Sequence, residues 1–285
     1  MGRITDSQST VLNSRMETIQ PLTYATFWQG PIDPITYTCL ASFPYRQAKL
    51  KVYSYDQKID VPKGVEVSDA RTIVPDESLM TRYILKGKPS LARFTNLFRY
   101  LMIQQTDHCW VDADILCVKN PSHLNGEVIF GRQEFNTHSV FNVAVLKFPS
   151  DHPVLKALID EAERRVDESS IWGTLGPRLL THLVRTHKMQ PLAYGVKNFY
   201  PLHYRYFWKA LLPSYHQEAL NLSETSTFIH LWNQMYKSSG YDLYAAPPEN
   251  SLLHKHCLIL GTLHRFERLY ESRELRQVLG DYVGC

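Results

Sequence analysis

The chain has 285 residues, 44% of them hydrophobic, enough for a real core in one large domain or two small ones. Its formal net charge is only +3 and no Lys/Arg run occurs, which argues against a nucleic-acid partner. The five cysteines, Cys39, Cys109, Cys117, Cys257 and Cys285, contain no CxxC pair, so a disulfide framework and a structural zinc site are both disfavoured and a reducing, cytoplasmic setting is expected.

Residues 1–20 are polar, rich in Ser, Thr and Gln, and read as a flexible leader without a signal peptide or membrane anchor. Residues 24–28 are aromatic and β-favouring and stop at Gly30-Pro31, which predicts a first strand. Asp33 then caps a helix with Pro34 at its first position, running to about residue 43. Residues 50–55 alternate as a second strand, so the chain opens on a βαβ unit of the kind that builds parallel sheets. A helix is expected over 91–105, capped by Ser90. Phe94, Leu97, Phe98, Leu101 and Met102 form its buried stripe, with Asn96 and Arg99 on a neighbouring face.

A buried strand is expected over 110–118, followed by strands at 128–130 and 140–146. Helices should begin near His152-Pro153 and Gly176-Pro177. A late strand is expected over 228–232 and an Arg- and Glu-rich helix over 263–279. No internal repeat or low-complexity linker interrupts this order. Alternating strands and helices predict an α/β fold.

The chemistry concentrates in Trp110-Val111-Asp112-Ala113-Asp114-Ile115-Leu116. Two carboxylates one residue apart, inside an apolar run, are costly to bury unless something pairs with them. A divalent cation is the natural partner. Held by few carboxylates, it keeps open positions for substrate phosphates. The motif therefore points to a metal–diphosphate site and to a nucleotide sugar. A bare Asp-X-Asp is otherwise a common solvated turn.

Further pieces occur in order: Phe27-Trp28-Gln29-Gly30, Leu40-Ala41-Ser42-Phe43, Tyr53-Ser54-Tyr55-Asp56, Asp69-Ala70, Leu97-Phe98-Arg99-Tyr100-Leu101, Asn142-Val143-Ala144-Val145-Leu146, Gly176-Pro177-Arg178 and His230-Leu231-Trp232-Asn233. With the Asp-X-Asp motif, this pattern resembles the Asp-X-Asp sugar-binding glycosyltransferases, the group of the yeast initiating mannosyltransferase and the α-1,4-galactosyltransferases, and within it the bacterial polysaccharide-synthesis branch. The resemblance implies one GT-A-type domain over 21–285, a Rossmann-like mixed sheet flanked by helices. It implies a Mn²⁺- or Mg²⁺-dependent, retaining transfer of a hexose. The donor would be a nucleotide-diphosphate sugar, with UDP favoured, and the acceptor a glycan or lipid-linked saccharide. Two departures stand out: Asn96 where the family often has Asp, and Asp107-His108 where it often has Gly-Gly.

Roles follow on that reading. Asp112 and Asp114 are the catalytic metal carboxylates, and His230 completes the metal shell. Phe27, Trp28, Asn96, Arg99, Asn142, Gly176 and Trp232 are the donor-binding candidates, and Asn233 is a lesser one for the metal region. His230 and Trp232, two apart on an expected strand, should face the same side. Glu127 and Glu134 lie near the right strands, but nothing singles out either as a nucleophile. The aromatic run over 199–208 suits sugar rings, an ordinary core or peripheral contact with a membrane. Two rival readings stay open: a non-catalytic nucleotide-sugar-binding protein of the same fold, and an aspartyl-phosphate-type phosphatase.

Overall fold

In the computed structural model, which describes residues 21–283 apart from 136–137 and 171–172, strand β1 (Thr23–Phe27) leads into helix α1 (Pro34–Tyr45) and back to β2 (Lys49–Ser54). The expected leader and Cys285 lie outside the described residues. Asp33 starts α1 as its sequence predicts: Oδ1 accepts from the Thr36 N–H at 2.9 Å and Oδ2 from the Thr36 hydroxyl at 2.8 Å. β1 and β2 pair in parallel, Tyr24 opposite Leu50. An edge strand, β3 (Val65–Asp69), pairs with β2, also in parallel. It is absent from the sequence reading, although Val65 and Val67 alternate with Glu66 and Ser68.

Helix α2 (Leu91–Gln105) occupies its expected span, though the Ser90 hydroxyl makes no capping bond. The expected strand over 110–118 is not continuous. β4 (Cys109–Val111) joins the central sheet, and β5 (Ile115–Cys117) belongs to a separate two-stranded sheet. Between them the Ile115 N–H closes a turn onto the Asp112 carbonyl at 3.0 Å. The turn lifts both carboxylates off the ladder, where they would have been buried without partners.

β6 (Ile129–Phe135) and β7 (His138–Lys147) form a hairpin longer than the two expected strands. The sheet order is β3-β2-β1-β4-β7-β6, with all strands running the same way except β7, which is antiparallel to both its neighbours. Both faces are covered. Ala25, Phe27, Tyr53, Trp110 and Leu146 pack under α2, α3 (Pro153–Arg164) and α4 (Pro177–Thr186). Tyr24, Leu50, Val52, Val111 and Val145 pack under α1, Phe199 and Phe228. The alternation along each strand produces these two apolar faces. Gly131 allows a close approach: a Cβ there would sit 2.6 Å from the Phe199 ring and 2.8 Å from the Tyr200 ring.

β8 (Phe228–His230) pairs antiparallel with β5, His230 opposite Ile115. The expected strand over 228–232 stops there, because Trp232 takes the left-handed conformation at φ 62°. Helices α5 (His216–Thr225), α6 (Asn233–Ser238), α7 (Leu252–Ile259) and α8 (Ser272–Leu279) enclose a further core with Leu116, Ile229 and Leu231. The expected helix over 263–279 is only α8 at its end. Ahead of it, Arg268–Leu269 pairs with Ala245–Ala246, and the buried Tyr270 ring packs 5.0 Å from Tyr241. That inward pull on Tyr270 breaks the helical path. Among the described residues no helix is long and apolar enough to cross a membrane.

Cys39, Cys109, Cys117 and Cys257 are buried free thiols, and burial raises all four. Burial in α7, with Arg46 nearby, pushes the His256 imidazole down from 6.5 to about 4. Above pH 6.5 neither folded nor unfolded chain is protonated there. Between the two values only the unfolded chain takes the proton, so acidification favours unfolding, by roughly 3 kcal/mol once pH falls below the folded value. Urea melts from pH 7 to pH 4 are expected to show this loss, and His256→Leu to flatten the slope. Equal slopes in the two proteins would exclude His256 as the source.

Candidate active site

The turn after β4 sits at the carboxyl edge of the parallel strands, where open α/β sheets bind ligands. Asp112 leaves the sheet with its N–H still bonded to the Ala144 carbonyl at 2.8 Å. Its Oδ1 accepts from Arg99 Nη2 at 2.5 Å and from the Trp110 indole at 2.7 Å. The guanidinium lies 4.8 Å from the Trp110 ring and is only 5% exposed. Arg99 Nη1 is braced by Asn96 Oδ1 at 2.9 Å, the two being one turn apart on α2. Asn96 Nδ2 returns to the Ala92 carbonyl, so each end of this half-exposed amide makes one bond within the protein. A neutral brace leaves the Arg99 charge to Asp112, whereas an aspartate there would compete for it.

Asp114 faces the other way. Its Oδ1 lies 3.1 Å from His230 Nε2, and its Oδ2 accepts the Asn233 N–H at 2.9 Å. Burial alone would raise this carboxyl, but the imidazole and the N–H outweigh it and hold the group below the ordinary carboxylate value. Asn233 Nδ2 reaches Thr36 Oγ1 at 2.9 Å and so ties α6 to the start of α1. Asp112, Asp114 and His230 each offer a ligand atom, and these atoms lie within 4.8 Å of one another. His230 Nδ1 and Asn233 Oδ1 are buried without a hydrogen-bond partner. Nε2 is the nitrogen that faces Asp114, so these two orphaned atoms adjoin the cluster and do not complete it.

Trp232 stacks on His230, ring centres 3.8 Å apart and planes at 30°. The contact does not come from a shared strand face. It comes from the left-handed backbone at Trp232, with the indole donating to the Leu202 carbonyl at 2.8 Å. Such a backbone is strained for a bulky residue and persists only where its surroundings hold it.

The remaining candidates spread out. Gly176 comes close to the cluster's periphery: a Cβ there would meet Asn96 Oδ1 at 3.2 Å. Asn142 is buried, with Nδ2 on Gln133 Oε1 at 2.5 Å and Oδ1 on the Ala144 N–H at 2.9 Å, so its amide braces the hairpin and is not open to a sugar. Phe27 is a core residue packed on Phe98 at 4.7 Å, and it offers no surface to a base. Trp28 is half-buried, its indole donating to the Gly30 and Pro31 carbonyls. Glu127 and Glu134 are exposed. The sequence reading missed Trp110 and Gln133. A tryptophan two residues before the first aspartate, on the same strand face, was the available signal for Trp110.

Residues 147–263 match a family model described as the alpha 1,4-glycosyltransferase conserved region. The match covers under half of the chain and supports a glycosyltransferase. The matched stretch holds α3, α4, His230 and Trp232, while Asp112 and Asp114 precede it. Among solved structures the chain is similar to the PaToxG glycosyltransferase, at 13% identity and TM-score 0.41 over 93% of this chain and 87% of that one. It is also similar to the apo glycosyltransferase GlyE of Streptococcus pneumoniae, at 12% identity and TM-score 0.39 over 85% of this chain and 64% of that one. These likenesses are too loose to assign a role to any residue. No curated protein matches the chain by sequence.

Proposed function

We propose that residues 21–285 act as one GT-A-type, metal-dependent, retaining hexosyltransferase. It moves a hexose from a nucleotide-diphosphate sugar, UDP favoured, to a glycan or lipid-linked acceptor. The observation that carries this is the convergence of Asp112, Asp114 and His230 at the sheet edge beside Arg99. Two carboxylates and an imidazole fit a hard-to-intermediate divalent cation. The imidazole favours Mn²⁺ over Mg²⁺, which prefers oxygen ligands.

In the reaction, the bond between the anomeric carbon and the diphosphate oxygen breaks, and a bond to the acceptor hydroxyl oxygen forms. Negative charge gathers on the leaving diphosphate. A bound cation would neutralise it as a Lewis acid. Asp112, Asp114 and His230 would hold that cation. Arg99 pins one Asp112 oxygen, and Trp110 locks the same oxygen, so the other is free to face the site. With no carboxylate among the described residues placed as a nucleophile, retention fits a front-face displacement in which the leaving diphosphate takes the acceptor proton. An aspartyl-phosphate phosphatase normally carries its Asp-X-Asp on the first strand, whereas here β1, β2 and β3 precede the motif. Work on lipid-linked acceptors would place the enzyme in the cytoplasm, at the membrane surface.

Chelation tests the reading. Enzyme stripped by excess EDTA is expected to lose at least 100-fold in transfer rate, with Mn²⁺ restoring it fully and Mg²⁺ in part. UDP together with Mn²⁺ should raise the melting temperature by mass action. Undiminished transfer in excess chelator would refute metal dependence. Stabilisation by UDP-sugars without transfer or hydrolysis would instead favour a binding protein that lost its activity.

A further inference from the structure

The aromatic run over 199–208 has a use the donor site does not absorb. After Leu202, a tight helical segment (Tyr204–Ala210) turns its rings in two directions. Phe207 and Trp208 go into the core, while Tyr206 is 43% exposed and His203 and Tyr204 are half-buried. These outer rings continue from the metal cluster without a break. His230 stacks on Trp232 at 3.8 Å, Trp232 meets Tyr204 at 6.2 Å, Tyr204 meets His203 at 4.6 Å, and His203 meets Tyr206 at 5.6 Å. Phe135, at the tip of the β6–β7 hairpin, stacks on Tyr204 at 5.4 Å from the other side.

We infer that this ring-lined path, from Trp232 through Tyr204 and His203 to Tyr206, binds a neutral oligosaccharide acceptor of two or more sugar units. The inference rests on the proposed donor site, because the path begins where the transferred sugar would lie. Three arguments support it. The exposed Tyr206 ring offers apolar surface to a pyranose, while Tyr204, sandwiched between Phe135 and His203, supports the path from beneath. The path runs over several successive rings, which is longer than one sugar. The rings are also held in place before any ligand arrives. Lys209 Nζ lies 5.0 Å over the Tyr206 ring and is itself fixed by Glu218 at 2.7 Å, and the helical segment is capped by His203 Nδ1 accepting the Arg205 N–H.

The local charges favour a neutral ligand. Lys209 is paired with Glu218, and the exposed Arg205 and Glu134, of opposite sign, both act on His203, so neither sign dominates there. A membrane-docking face would add further exposed apolar side chains and a cluster of unpaired Lys/Arg. The large exposed aliphatic residues, Leu91, Leu192, Leu258, Ile259 and Leu269, all belong to other segments.

The test is an array of immobilised neutral and uronic-acid glycans of one to five sugars, probed with labelled protein in UDP and Mn²⁺. Wild type, Tyr206→Leu and Tyr206→Trp are compared, and the melting shift with UDP and Mn²⁺ is read on the same samples. Wild-type signal should rise from monosaccharides to trisaccharides on neutral glycans. Tyr206→Leu should lose at least fivefold on glycans of two or more sugars, and Tyr206→Trp should restore most of it. The UDP–Mn²⁺ shift should be the same in all three. The inference is overturned if Tyr206→Leu binds like wild type, if wild type binds no glycan or only acidic ones, or if Tyr206 is needed for phosphatidylglycerol vesicles and not for glycans. Absence of the UDP–Mn²⁺ shift in wild type would overturn the donor-site reading itself, whatever the array shows.

Discussion

Asp114→Asn is expected to lower sugar transfer by three orders of magnitude or more while the protein keeps its fold. The size follows from the role: three orders of magnitude is about 4 kcal/mol of transition-state stabilisation, a reasonable share for charge neutralisation at a departing diphosphate. The fold should survive because the partners of Asp114 are an imidazole and the Asn233 N–H, and an amide oxygen can still accept from that N–H. Asp112→Asn should be as inactive but much less stable. Arg99 is 5% exposed, and its only ion-pair partner among the described residues is Asp112. Removing that counter-charge leaves a buried cation uncompensated, at a cost of about 3–5 kcal/mol. Urea melts and a transfer assay on both variants separate the two effects. Transfer within tenfold of wild type in Asp114→Asn would sink the metal role. Equal stability of the two variants would show that Arg99 does not depend on Asp112.

Local pattern was enough for β1, α1, β2, α2 and the two helices that begin at Pro153 and Pro177, because caps, prolines and apolar periodicity are written in neighbouring residues. It was not enough where the two sides of a segment serve different cores. Residues 109–111 and 115–117 are both apolar and both buried, so the sequence reads as one strand. They split because one packs in the central sheet and the other pairs with β8, more than a hundred residues later. The left-handed Trp232 is similar: its backbone is held by a carbonyl at Leu202 and a ring at His230, neither visible as a local signal. In the candidate site, residue types were legible and partners were not. Asn96 and Asn142 are amides of the kind that bind sugars, yet each bonds to the protein through both its oxygen and its nitrogen. The convergence of His230 on Asp114 is tertiary, and periodicity had no way to place it.

His230→Ala should raise the Mn²⁺ concentration needed for half-maximal activity at least tenfold, with little loss of thermal stability. His230 Nε2 lies 3.1 Å from Asp114 Oδ1, and a bound cation would take over the pairing of that buried carboxylate, so the stability comparison is made with Mn²⁺ present. Losing one of three protein ligands weakens a site by an amount comparable to the tenfold to hundredfold seen when metal-site support is removed. Trp232→Ala should act differently. The indole packs on His230 and is held by Leu202, so its removal frees the imidazole to rotate and opens the cluster to water. Donor binding should weaken severalfold, and hydrolysis of the donor should gain on transfer to the acceptor, because water reaches the anomeric carbon. The alanine also loses the contacts that held a strained left-handed backbone, so Trp232→Gly should be more stable than Trp232→Ala while sharing its hydrolysis. Mn²⁺ titrations of activity, donor-hydrolysis ratios and melting temperatures decide between a ligand and a packing role. If His230→Ala melts many degrees lower and its remaining active fraction keeps the wild-type Mn²⁺ requirement, His230 is a core residue and the metal rests on the two aspartates.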